Sequence, residues 1–181
     1  MRRVLVDTGH HYATQNIEQI VAWLLHIDML GGFHFNDRRY ADDDLTLGSI
    51  DPYQIFRIFH EIHLAGSDSL GQIAFMIDQS HNLKGKMEAM VQTVVAGQEL
   101  WLKAALVDRD QLDILQNNCE LVAAEELFRG TFWLDVRPLV KEWRRARGLP
   151  EDPLLALAES GYVQRITVER GGKLAPATSY A

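Results

Sequence analysis

Six side chains in this sequence are oxygen and nitrogen donors of the kind that hold divalent metal ions: Asp7, His10, His34, Asp42, Asp44 and Asp78. They lie in or shortly after three short apolar runs, at 4–6, 32–35 and 73–77, which read as buried strands. In a barrel of parallel strands, chemistry is done at the carboxyl ends of the strands. Donors converging at that level after each run predict a divalent metal site.

In Val6-Asp7-Thr8-Gly9-His10-His11 a carboxylate ends the run and an imidazole follows three residues on. Gly9 allows a sharp turn, so both groups can face one cavity. Asp7 taken alone reads first as a cap or turn residue. In Phe33-His34-Phe35-Asn36, strand alternation puts the two Phe on one side and His34 and Asn36 on the other. A buried His on a strand needs a partner, either a metal or a hydrogen-bonding carboxylate. Asp42-Asp43-Asp44 is a dense anionic cluster. In extended geometry Asp42 and Asp44 point one way and Asp43 the other, which suits two ligands on one cation; taken alone, the cluster reads as a solvated acidic loop. Asp78 follows the third run as Asp7 follows the first, and Gln79, Ser80, His81 and Asn82 extend a polar mouth. A bridged metal pair needs one more acid, and the three runs offer no spare. His60-Glu61-Ile62-His63 lacks the H-E-x-x-H spacing and reads as helix surface.

The elements that position these donors follow from periodicity and caps. Asn16, with Gln19 three residues later, starts a helix whose apolar face is Ile17, Ile20, Val21, Leu24 and Leu25. Asp51-Pro52 starts a second, with Ile55, Phe56, Phe59 and Ile62 inward. Strand, helix and strand within about thirty residues make a right-handed parallel βαβ unit. From about Lys86 the pattern becomes helical: one long helix to about Leu106, a second carrying Leu112, Leu115, Cys119, Val122 and Leu127, a third from Pro138 to near Gly148, and a short fourth from Asp152-Pro153 to Gly161. The expected organisation is α/β: residues 1–85 as part of a parallel barrel, 86–170 as a helical extension packed on it, and 171–181 as a loose tail. Three parallel strands make a small sheet, because parallel sheets are covered on both faces and usually contain more strands.

The 181 residues suffice for one domain with a real core, and the 47% hydrophobic and 24% charged content is that of a soluble globular protein. A net charge of −7 argues against a phosphate-backbone partner, and so against an endonuclease on a similar barrel. The basic cluster Arg144, Arg145 and Arg147 reads as a solvated helix end, and Cys119 as an inert core thiol. A single cysteine excludes an internal disulfide and fits a reducing, cytoplasmic location. No apolar run is long enough to span a membrane, and no signal peptide precedes Asp7.

The segments Val-Asp-Thr-Gly-His-His at 6–11, Gly-Gly-Phe-His-Phe-Asn-Asp at 31–37, Tyr-Ala-Asp-Asp-Asp-Leu at 40–45, Gly-Ser-Ile-Asp-Pro-Tyr at 48–53, Ile-Asp-Gln-Ser-His-Asn at 77–82 and Ala-Leu-Val-Asp-Arg at 105–109 resemble the L-rhamnose isomerase family, in order and in spacing. The resemblance implies part of a (β/α)8 TIM barrel like that of xylose isomerase, covering the last three strands and the terminal helices. It implies two divalent ions, commonly Mn2+, with Mg2+, Co2+ or Zn2+ as other candidates. By match of motif, Asp7, His34 and Asp78 would hold the ion that chelates substrate oxygens. His10, Asp42 and Asp44 would hold a second ion carrying an activated water. His10, Asp42, Asp44 and Asp78 are therefore the expected catalytic residues. The expected reaction is aldose–ketose interconversion, L-rhamnose to L-rhamnulose in type, by a proton or hydride shift between C1 and C2. Family members are more than twice as long, and their bridging Glu, a nearby Lys and the aromatic residues of the sugar pocket lie upstream of the part matched here. The expected partners are thus an aldose or ketose and either a second copy or the N-terminal half of the barrel, with no nucleic acid and no membrane. A non-catalytic remnant, or an assembly module of a split isomerase, is the other reading.

Overall fold

A computed structural model describes residues 2–40, 43–66, 70–80 and 84–172. Three parallel strands form one sheet in the order β1 (Val4–Asp7), β2 (Leu30–Phe35), β3 (Ala74–Ile77). Each crossover carries a helix: α1 (Ile17–His26) and α2 (Pro52–Leu64). Both start where the caps place them. Asn16 Oδ1 accepts from the Gln19 N–H at 2.8 Å, and Asp51 Oδ1 accepts from the Gln54 N–H at 2.9 Å with Pro52 in the first turn. This is a partial α/β fold with parallel βαβ connections, in agreement with the expected class; three strands do not by themselves define a closed barrel.

The register decides which residues share a face. Val6 pairs with Phe33, Asp7 with His34, Phe33 with Phe75 and His34 with Met76. Val6, Phe33 and Phe35 therefore face the helices and are buried. Leu5, Asp7, His34 and Met76 lie on the opposite face, where Leu5 and Met76 are exposed.

The described residues then form α3 (Lys86–Ala105), α4 (Arg109–Asn117), α5 (Leu121–Phe132), α6 (Arg137–Arg145), α7 (Pro153–Glu159) and α8 (Tyr162–Glu169). The long α3 packs along α2, and α5, α6 and α7 pack on α3. Phe56, fully buried, lies against Tyr53, Phe128 and Phe132 at 4.8–5.8 Å between ring centroids, joining the βαβ layer to α5. Burying one such side chain contributes about 1.5–3 kcal/mol.

Four expectations are corrected here. The single helix expected through Leu112 and Leu127 is two, because Cys119 adopts φ 58° and turns the chain between α4 and α5, with the Glu120 N–H closing on Leu115 O at 2.8 Å. Cys119 is consequently exposed, not a core thiol. Arg144 is buried rather than solvated: its guanidinium donates to Gln98 Oε1 and to the Glu151 carbonyl, tying α6 to α3. The segment after Gly161 forms one more helix, α8, where the sequence pattern ended at the glycine. Residues 173–181 of the expected tail lie outside the described residues.

Candidate metal centre

Asp7 closes β1 directly opposite His34 on β2. Asp78 lies two residues beyond Met76, the strand partner of His34, and its N–H continues the ladder to Phe35 O at 3.1 Å. Strand alternation thus aims all three side chains at the same face of the sheet. His34 Nδ1 lies 3.3 Å from Asp7 Oδ2 and 3.0 Å from Asp78 Oδ2. The three donor atoms fall within 4.8 Å of one another, the only such group of acids, imidazoles or thiols among the described residues.

The spacing suits a hard cation. Octahedral coordination at about 2.1 Å places neighbouring ligand atoms about 3 Å apart. Two carboxylate oxygens converging on one imidazole nitrogen also concentrate negative charge that a cation would neutralise. The donors therefore fit a divalent ion such as Mn2+ or Mg2+, with room for further ligands, since Asp78 is half exposed on the solvent side. A hydrogen-bonded triad without metal uses the same atoms, with His34 donating from Nδ1.

The remaining predicted ligands take other places. His10 is half exposed, with Nε2 3.8 Å from Asp7 Oδ2, at the rim of the cluster. Asp44 adopts φ 49°, and its carbonyl accepts from the Ser80 N–H at 3.1 Å, which joins its loop to the loop after Asp78. Asp43 accepts from the Arg39 and Tyr40 N–H groups at 2.7 and 2.9 Å, so this carboxylate caps a turn, and the left-handed φ of Asp44 departs from the extended geometry expected of the cluster. Asp42, His81 and Asn82 lie outside the described residues. Gln79 turns toward α3 and accepts from Thr93 Oγ1.

Two residues that hold the site together were not legible as such. Arg38, buried, donates to the carbonyls of Thr8, His11 and Tyr12 at 2.7, 2.5 and 2.9 Å, clamping the loop that carries His10. Asp37, also buried, accepts from the Arg38, Ile50 and Asp51 N–H groups and pairs its backbone with Leu45. The available signal was the polar run 36–39 directly after a strand. Nearby, burial and the Arg38 charge hold His11 below the ordinary imidazole range.

His60 departs from expectation altogether. It is 6% exposed, with its ring 4.8 Å from that of Phe128 and edge-on to it. Helices α3 and α5 cover the side of α2 that the sequence reading left to solvent. Burial first, then the Arg109 and His63 charges, lower its pKa to about 4. A cavity of about 680 Å3 is also on this helical side, between β3, α3 and α6. Its walls include Phe59, Phe75, Trp101 and Trp143 and no ionisable side chain, in contrast to the carboxylate cluster on the other face of the sheet.

Fold and cluster together define an α/β protein with a candidate divalent-metal centre at its strand ends. The chain is similar to a probable sugar isomerase of Mesorhizobium japonicum, 38% identical over 169 residues that make up 92% of this chain. It is equally similar to a probable sugar isomerase of Rhizobium meliloti, 39% identical over 168 residues. In both cases the matched part is 39% of the relative's own length. No family model matches the chain. These similarities relate the chain to proteins named sugar isomerases. No described helix is long and apolar enough to cross a membrane.

Proposed function

We propose that this chain forms part of a metal-dependent aldose–ketose isomerase, with L-rhamnose the first substrate to test. The convergence of Asp7, His34 and Asp78 at the ends of three adjacent parallel strands carries the reading; similarity to probable sugar isomerases along nearly the whole chain supports it. Asp7, His34 and Asp78 would hold one divalent ion, and His10, Asp42 and Asp44 a second. Such ions polarise sugar oxygens and stabilise the alkoxide that develops during a shift between C1 and C2. The shift is redox-neutral overall: C1 of the aldose is reduced as C2 is oxidised.

The chain's own groups have definable parts in this scheme. Asp7 and Asp78 supply negative charge on either side of His34, fixing where a cation sits. His10, at the exposed rim beside Asp7, would hold the second ion on the side open to the sugar. Arg38 keeps the loop bearing His10 in register with β2. The ligand-bearing face also carries exposed Leu5 and Met76, and β1 and β3 are both sheet edges. Further strands, completing a (β/α)8 barrel and supplying the remaining acid, would cover that face.

The test is an aldose–ketose assay with L-rhamnose and Mn2+, on the chain alone and with the unmatched region of the relatives added as a second polypeptide. Turnover that requires the added region and disappears in Asp78→Asn is the expected result. Turnover by the chain alone would refute the need for further strands. No turnover and no bound metal in either arrangement would refute the isomerase reading and leave a remnant or assembly module.

A further inference from the structure

We infer that Asn36 and Gly9 act as a positioning pair that presents a single oxygen of Asp7 to the metal centre; the inference rests on reading Asp7, His34 and Asp78 as metal ligands. The two oxygens of Asp7 have separate surroundings. Oδ1 accepts from the Gly9 N–H at 3.0 Å and from Asn36 Nδ2 at 3.1 Å. Oδ2 is the oxygen that faces His34 at 3.3 Å and His10 at 3.8 Å. With two donors on Oδ1, the carboxylate is held against rotation about its terminal torsion, and Oδ2 remains as a one-point ligand. Groups that orient a ligand in this way commonly change metal affinity about 10–100-fold when removed.

Asn36 is itself tightly held. It is fully buried. Thr8 Oγ1 accepts from its backbone N–H at 3.0 Å and donates to its carbonyl at 2.7 Å. An ionised carboxylate only accepts, so the amide nitrogen must face Asp7. The amide oxygen then points at Gly9 and, though buried, has no hydrogen-bond partner. A Cβ on residue 9 would overlap that oxygen and lie 2.8 Å from Asn36 Cγ. Gly9 therefore serves here by leaving room for the Asn36 amide. Its backbone does not use the left-handed region, so the sharp turn expected of it is not what excludes a side chain.

This geometry makes three variants interdependent. Asn36→Ala removes the donor to Oδ1. Gly9→Ala leaves Asn36 in the sequence but drives its amide off Asp7. In the double variant the methyl group added at position 9 occupies space that the amide has vacated. Mn2+ affinity, measured by electron paramagnetic resonance titration on the full chain, should fall about 10–100-fold in each single variant. The double variant should bind no more weakly than Asn36→Ala alone, and the loss of affinity should exceed what any change in metal-free stability accounts for. Either single variant binding Mn2+ like wild type would overturn the positioning role while leaving the metal centre intact. Additive losses in the double variant, or affinity falling only in step with metal-free stability, would overturn it as well. Failure of the wild-type chain to bind Mn2+ would instead remove the metal reading, and this inference with it. Because the two substitutions reach one contact from opposite sides, misfolding of one still leaves the other to decide.

Discussion

His34 and His60 sit in adjoining layers of one βαβ framework and meet opposite surroundings. His34 lies near the end of a strand, one third exposed, with its nitrogen between two carboxylates. His60 is in mid-helix, more deeply buried, with an aromatic edge and the Arg109 cation near it. The first is placed to bind or donate; the second is held neutral and serves as packing. Burial alone does not mark a functional histidine; what distinguishes the two is the charge around the ring and access to a face where ligands can arrive.

The contrast breaks most visibly if the aromatic bed beneath His60 is removed. Phe56→Ala should cost about 3–5 kcal/mol in urea unfolding, because Phe56 is fully buried between Tyr53, Phe128 and Phe132. A loss under about 1 kcal/mol would mean that α5 is not seated on α2 as described.

The next effect is on pH dependence. The folded pKa of His60 lies near 4, against 6.5 for the free side chain. The unfolded chain therefore binds the extra proton first. This contribution is constant above about pH 6.5 and lost as pH falls toward 4. The loss amounts to about 3 kcal/mol. His60→Leu should flatten this part of the stability–pH curve by that amount, read from urea midpoints at about pH 7, 5 and 4. An unchanged curve would place His60 in contact with solvent.

A smaller, opposite effect is expected at Cys119, whose φ of 58° favours glycine. Cys119→Gly should raise stability by about 1 kcal/mol, and destabilisation would argue against the left-handed turn between α4 and α5.

The smallest effect on the metal-free fold belongs to the His34 side. Asp78→Asn removes one of two converging charges at a half-exposed position, so metal-free stability should change by less than about 0.5 kcal/mol. The melting-temperature rise produced by Mn2+ should disappear with it. A large metal-free loss would identify the triad as a structural ion pair and erase the contrast with His60.

Much of this chain follows from local chemistry. The Asn16 and Asp51 caps, the period-2 alternation around His34 and the apolar faces of α1 and α2 depend on neighbours within a few residues, and each appears where the sequence places it. The repeated position of an acid after β1 and β3 is legible for the same reason, because the carboxyl end of a strand is a local address. Which face of a helix becomes buried twice is not local. His60 and Arg144 look like surface residues until α3 and α5 cover the one and α6 ties the other to Gln98. The split at Cys119 has no sequence signal, because a non-glycine left-handed residue carries no strong mark. The division of labour between the two oxygens of Asp7 also needed the fold, since it depends on Asn36, 29 residues away in sequence and brought alongside only by the parallel register of β1 and β2. Sequence alone determined the donors and the elements that carry them; the tertiary structure decided which atoms meet, because a contact across a crossover depends on register and packing that no single segment contains.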